Sequence, residues 1–151
     1  MDKLLQGQKV IVTGGNAGIG KAIATLFADH GARVAIFGTN VERGAATVAE
    51  INARAGSDAA TFLRVDVADT KAVEDAVRQV LESFGAVDIL VNCAGISPKK
   101  RFLEYTETDW DAVQNVNLKG AFLCARAVAE PMMARKYGRI VTLSSSSWRN
   151  G

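Results

Sequence analysis

Cysteine and histidine are scarce in this chain, and their scarcity closes off whole classes of chemistry. The two cysteines, Cys93 and Cys124, lie far apart in the 151 residues, so they form no metal-ligand or redox pair and read as buried, reduced thiols. The single histidine, His30, directly precedes Gly31 and reads as a helix C-terminal residue set against the dipole, not as a catalytic base. No metal site is expected. An excess of charge is missing too: 18 Lys and Arg against 16 Asp and Glu leave a formal charge of +2, which argues against nucleic acid or acidic membranes as partners. No apolar stretch is long enough for a membrane span or an export signal, and the opening MDKLLQGQKVIV runs straight into glycine-rich sequence. A cytoplasmic location is the expectation. Repeats and low-complexity linkers are also absent, and a hydrophobic content of 48% suffices for one domain, 1–151, with a real core.

What the chain does have is alternation. Residues 9–13, 33–37, 61–65, 87–92 and 139–143 are β-rich runs of nearly unbroken Val, Ile, Leu and Ala, the pattern of strands buried on both faces of a parallel sheet. Between them, Ile19, Ala22, Ile23, Leu26 and Phe27 recur at helical spacing before the stop at Gly31. Residues 41–55 and 70–84 repeat the pattern and end at Gly56 and Gly85, with Val73, Val77, Val80 and Leu81 as one apolar face. Thr106 and Asp109 have the spacing of a capping box for a long helix running toward Tyr137 and closed by Gly138, with Pro131 expected to bend or break it. This order predicts a doubly wound α/β sheet in three layers, in which right-handed crossovers set the first and fourth strands side by side. A crevice is expected at their C-terminal ends.

The stretch VTGGNAGIGKA, residues 12–22, concentrates bare backbone where the first strand passes into the first helix. A phosphate can rest on the unpaired amides of a helix N-terminus only if no side chain blocks its approach. Gly14 suits the sharp turn out of the strand, Gly18 suits contact between phosphate and backbone, and Gly20 suits close packing of the helix. The spacing G-x-x-x-G-x-G differs from the commonest dinucleotide fingerprint, and no Gly-Lys-Ser/Thr follows to make a triphosphate loop.

Residues 13–20, TGGNAGIG, resemble the T-G-x-x-x-G-x-G signature of the short-chain dehydrogenase/reductase family. Asn92-Cys93-Ala94-Gly95 stands where that family has N-N-A-G, with Cys93 as the departure, and Asp66, Asn117 and the run GRIVTLSS ending at Ser145 follow in the family's order. The resemblance covers essentially the whole chain and looks most like 3-oxoacyl-acyl-carrier-protein reductases and gluconate-type dehydrogenases. It implies a Rossmann-type fold, here ending after the fifth strand, and hydride transfer between NADP(H) or NAD(H) and a carbonyl or secondary alcohol. An acyl-carrier-protein thioester is one implied partner, and a homotetramer is the implied assembly of a full-length protein.

The resemblance further implies that Gly14, Asn16, Gly18, Ile19 and Gly20 line the pyrophosphate and ribose, that Asp66 and Val67 hold the adenine edge, and that Asn92, Ala94 and Gly95 flank the adjoining ribose. Asp66 also reads as a turn or helix cap before Asp69 and Thr70. No carboxylate follows the second strand at Phe37-Gly38-Thr39-Asn40, so Thr39 and Asn40 can donate to a 2′-phosphate and NADP is preferred. Yet Asn16 and Ala17 stand where many NADP-specific relatives carry an arginine, and Arg43 is the one nearby cation. Ser145 matches the substrate-orienting serine, one position uncertain among Ser144, Ser146 and Ser147. Asn117 matches the residue whose backbone carbonyl, released by a helix distortion, holds a water in the family's proton relay.

The family's Tyr-x-x-x-Lys acid is not present: Asp109 stands four after Tyr105, and Val141 four after Tyr137. Six residues follow Ser145. The chain is therefore expected to be the N-terminal portion of such an enzyme and, alone, to be inactive; the alternative is a dinucleotide-binding module without catalysis. Tyr137 precedes the fifth strand and belongs at the rim opposite the crevice. Trp110 and Trp148 read as packing residues. Lys99, Lys100 and Arg101 read as loop solubility or as a contact for an acidic substrate or carrier protein. The outer edge of the fifth strand, with Ile140, Val141 and Leu143, is expected to be exposed.

Overall fold

The computed structural model describes residues 3–56 and 58–145, so Ser146, Ser147 and Trp148 lie outside the described residues. Five strands, β1 (Lys9–Thr13), β2 (Arg33–Gly38), β3 (Ala60–Arg64), β4 (Ile89–Asn92) and β5 (Arg139–Thr142), form one parallel sheet in the order β3-β2-β1-β4-β5. The winding reverses between β1 and β4, which are neighbours in space although two strands separate them in the chain. Thr13 pairs with Phe37 on one side and with Asn92 on the other, and Asn92 pairs in turn with Thr142. These residues form one row at the C-terminal rim.

Helices α1 (Gly18–Asp29) and α2 (Val41–Ala55) cover one face, where Ala24, Ala28 and Ile51 pack on Val10, Val12, Val34 and Ile36. Helices α3 (Thr70–Phe84) and α5 (Gly120–Arg135) cover the other, against Ile11, Ala35, Phe37 and Leu90. The expected three-layer α/β/α Rossmann fold is what the chain adopts. The apolar face of α3 is complete in the structure: Val73, Ala76, Val77, Val80 and Phe84 are all buried. Full burial of one such valine contributes about 1.5 kcal/mol or more.

The structure refines the pattern read in sequence at the end of the chain and along the long helix. All four residues of β5 are exposed, and Ile140 at 45% and Val141 at 50% are so as expected of the outer strand, because among the described residues neither its outer edge nor its faces gain the cover that β1 and β4 receive. Leu143, by contrast, is half-buried against the α1–α2 face. The long helix stops at Arg135 and not near Tyr137; Lys136 takes the left-handed conformation with φ of 52°, while Gly138 serves packing, since a Cβ there would overlap the Met132 side chain. Pro131 lies inside α5 without ending it. The irregularity falls earlier, where helix α4 (Glu107–Val113) runs into a π-helical turn, Gln114–Lys119, before α5 begins. Trp110, read as a packing residue, is 63% exposed on α4.

Candidate functional site: an open crevice at the switch point of the sheet

Four described α-helices begin at a loop, and three of them begin with a side-chain cap. Asn40 Oδ1 accepts the Arg43 N–H at 2.8 Å ahead of α2, Asp69 Oδ1 accepts the Ala72 N–H at 3.1 Å ahead of α3, and Thr106 Oγ1 accepts the Asp109 N–H at 3.2 Å ahead of α4. Helix α1 has no such cap. Its N-cap is Ala17, and no acidic residue stands in its first turn. The N–H groups of Gly18, Ile19 and Gly20 therefore open the helix without an intrahelical acceptor, at its positive end.

The loop ahead of α1 is held by backbone proximity. Gly14 turns out of β1 with φ of 65°, and a Cβ there would stand 2.9 Å from the Ala94 Cα. A Cβ on Gly20 would overlap the Gly14 carbonyl, so this glycine seats the helix on its own loop more than on the sheet. Gly18, with φ of 49°, faces open space. Thr13, missed as a site residue, is 1% exposed, and its Oγ1 accepts the N–H groups of both Cys93 and Ala94 at 3.0 Å. It ties the end of β1 to the loop after β4. Asn16 donates from Nδ2 to the Asn40 carbonyl at 3.2 Å, and its side chain lies over Gly38, where a Cβ would come within 2.7 Å of Asn16 Oδ1.

These loops enclose a cavity of about 490 Å³. Of the residues singled out in sequence, Gly14, Asn16, Gly18, Ile19, Gly20, Thr39, Asp66, Val67, Ala94 and Gly95 line it. Ala17, Phe37, Gly38, Val65, Cys93, Ile96 and Val116 line it too. Most of these flank a residue already singled out, so adjacency was the available signal; Cys93 was set aside as a core thiol. It is half-buried in the crevice wall, and desolvation raises its thiol above the ordinary range. Cys124 is buried under the sheet, where desolvation pushes it up to about 12. Asp66 is the sole charged side chain among the described lining residues. One of its oxygens accepts the Ala68 N–H at 2.9 Å, a turn-capping contact that leaves the other oxygen uncommitted to that bond.

Asn40 lies outside the lining, and so do Asn92, Asn117 and Ser145. Asn92 is 5% exposed; its Nδ2 donates toward the Ala121 carbonyl at 3.4 Å and the Thr142 Oγ1 at 3.3 Å, so the side chain faces α5 and β5, away from the crevice. Asn117 lies in the π-helical turn, and its side chain grips one backbone unit: Oδ1 accepts the Ile96 N–H at 2.8 Å while Nδ2 donates to the Ile96 carbonyl at 2.9 Å. Ser145 is exposed in the loop after β5, on the same rim of the sheet as the crevice.

Beyond Ile96 the loop is tightly braced. Lys100 Nζ reaches both oxygens of Asp109 at 2.8 and 2.7 Å, and Tyr105 donates to the Pro98 carbonyl at 2.7 Å. The Lys100 ammonium, with the Thr106 N–H and hydroxyl, holds the Asp109 carboxyl down to about 2. Tyr137 donates to Gln8 Oε1 at 2.9 Å, placing it at the opposite rim as its position before β5 required. Among the described residues no group of His, Cys, Asp and Glu is placed to hold a metal ion, and no helix is long and apolar enough to cross a membrane.

Known proteins resemble this chain in sequence and fold. A sequence model of the family described as short chain dehydrogenase matches residues 8–151. A (2S)-[(R)-hydroxy(phenyl)methyl]succinyl-CoA dehydrogenase subunit of Thauera aromatica is 40% identical over 147 residues, which cover 97% of this chain and 58% of that protein. A 3-oxoacyl-acyl-carrier-protein reductase of Chlamydia pneumoniae is 39% identical over 145 residues, covering 96% of this chain and 58% of the relative. A crystal structure provisionally described as a short-chain alcohol dehydrogenase, from Sinorhizobium meliloti 1021, superposes with a TM-score of 0.90 at 37% identity, over 100% of this chain and 59% of that one. The chain thus spans little more than half the length of the curated relatives it matches.

Proposed function

The chain belongs to the short-chain dehydrogenase family, and from that membership we propose that its crevice binds a nicotinamide dinucleotide for an oxidoreductase acting on carbonyl and secondary alcohol groups. The observation that carries this reading is the contrast among helix starts: of the described α-helices that begin at a loop, α1 alone lacks a side-chain cap, and its bare amides open onto the cavity. A pyrophosphate supplies the missing acceptors, and the fit is steric as well as electrostatic, because Gly18 faces open space while Gly14 lets the loop close onto the Ala94 backbone.

In this reading Asn16 holds the β2 side of the loop against the bound ribose, Asp66 offers its second oxygen to the adenine edge beside Val67, and Ala94 and Gly95 leave room for the second ribose. NADP(H) is favoured over NAD(H), since the exposed Thr39 lines the crevice after β2 and no carboxylate stands there to repel a 2′-phosphate. When bound, the nicotinamide supplies or takes up the hydride. Ser145, on the crevice rim, orients the substrate carbonyl, and Asn117 holds the backbone beside it. A 3-oxoacyl thioester is the substrate class favoured by the names of the two relatives, which both specify an acyl group on a CoA or a carrier protein.

No tyrosine in these 151 residues stands four before a lysine, so we assign the chain itself binding and orientation without turnover. Calorimetric titration of the 151-residue protein with NADPH and NADH tests this. Saturable one-to-one binding, tighter for NADPH and unaccompanied by carbonyl reduction, is expected. A folded chain that binds neither dinucleotide overturns the proposal.

A further inference from the structure

The two outer strands of the sheet are finished differently. At one margin β3 is buried or half-buried except at Arg64, whereas at the other every residue of β5 is exposed. The Asp88 carbonyl accepts the Arg139 N–H at 2.9 Å and the Asn92 carbonyl accepts the Leu143 N–H at 3.0 Å, so alternate residues of β5 turn their backbone inward to β4. Ile140 and Thr142 therefore turn N–H and C=O outward, to an edge along which no described strand lies. An apolar edge of this kind is a template for another chain. Within the 151-residue chain six residues follow Ser145, fewer than the crossover of about a dozen that a parallel neighbour requires.

We infer that the outer edge of β5 is a homodimerisation surface of the 151-residue chain, on which a second copy pairs its own β5 antiparallel, with Val141 meeting Val141 at the twofold axis. In that register Ile140 and Thr142 of one copy exchange backbone bonds with Thr142 and Ile140 of the other, and Val141 makes the non-hydrogen-bonded pair between them. Charge favours this arrangement. Arg139, the sole charged residue of β5, falls opposite Leu143 of the second copy, whereas a parallel in-register pair would set Arg139 against Arg139. The axis stands perpendicular to the sheet, so both copies of α5, the helix that crosses from β4 to β5, stay on one face and come within about 10 Å over the seam, the spacing of packed helices. There Ala129, Ile140 and the exposed Met133 line a groove of about 350 Å³ that the second copy fills. The two crevices fall at opposite rims of the joined sheet, and both stay open.

Sedimentation velocity of the 151-residue chain over a concentration series tests the pairing, and three variants test its register. The wild type is expected to shift from monomer to dimer as concentration rises. Val141→Lys sets two like charges against each other at the axis and is expected to weaken the dimer by about tenfold or more. Val141→Cys is expected to form a disulfide-linked dimer on mild oxidation, because the Cα atoms of a non-hydrogen-bonded pair stand about 4.5 Å apart, within disulfide reach. Ile140→Cys, about 9 Å from its own copy in this register, is expected to cross-link no more than wild type, which carries the background of Cys93 and Cys124. Should Val141→Lys fail to fold, the two cysteine variants still decide. A wild type that stays monomeric up to about 0.5 mM, a Kd in the weak range for a specific pair, overturns the proposal, as it would if residues 146–151 folded back over the edge. So does a dimer that survives Val141→Lys unchanged, or one in which Ile140→Cys cross-links as readily as Val141→Cys.

Discussion

The two rims of the same sheet are built in opposite ways. At the N-terminal rim Asp88 is 2% exposed and fully engaged: Oδ2 accepts the Lys9 N–H at 2.9 Å and Oδ1 accepts from Arg135 at 2.8 Å. Tyr137 caps the same rim through Gln8, with the Arg135 and Arg139 guanidinium groups 5.9 and 5.5 Å from its ring. At the C-terminal rim the bonds made by Thr13, Asn16 and Asn117 shape backbone around a space and leave the α1 amides toward it. Saturated polar groups make a structural rim. Unsatisfied, sterically open ones make a binding rim.

The strongest way to break this contrast is at the saturated end. Asp88→Ala leaves the buried Lys9 amide and the Arg135 guanidinium without their acceptor, and a loss of about 3 kcal/mol in urea unfolding is expected, with NADPH affinity of the folded protein changed by less than about twofold. A parallel collapse of affinity and stability would erase the division between the rims. Gly14→Ala attacks the open end: a Cβ at φ of 65° against the Ala94 backbone should weaken NADPH about a hundredfold, more than it lowers stability. Unaltered titration curves would show that the loop is not the phosphate seat.

Ala17→Asp sharpens the comparison, because it gives α1 the cap that the other loop-initiated α-helices have. Stability should rise by about 0.5–1 kcal/mol while NADPH binding falls about tenfold, as a carboxylate occupies the amides and repels phosphate. Both quantities moving in the same direction would contradict it. The smallest effect concerns the braced loop. The Asp109 carboxyl is lowered from 3.8 to about 2 in the folded chain, so its contribution to stability is present above about pH 4 and is lost as pH falls through about 2. An NMR titration should find that low midpoint in the wild type and a return toward 3.8 in Lys100→Ala.

The strands and helices were legible because their signals are local. Val73, Val77 and Val80 recur at helical spacing whatever surrounds them, and the Thr106–Asp109 capping box needs only neighbours in sequence. The glycine loop was legible through its crowding. Less legible were residues whose meaning depends on the far side of a contact. Thr13 reads as an ordinary strand end until Cys93 and Ala94, distant in sequence, point their amides at it. Cys93 reads as core, yet it sits where the packed sheet opens. Asn92 reads as a crevice residue, yet strand alternation turns its side chain toward α5 and Thr142. Trp110 reads as a packing residue from its type alone, and the fold leaves it on the surface.

By itself the sequence determined the succession of β and α segments, the glycine-rich passage from β1 to α1, and the switch in winding that sets β1 beside β4, since backbone sterics and apolar periodicity act over a few residues. Tertiary structure alone decided which helix start stays uncapped toward a cavity, and which polar side chains brace backbone and which face the space. Those outcomes depend on groups brought together from opposite ends of the chain, whose hydrogen bonds and clashes exist only once the layers have packed.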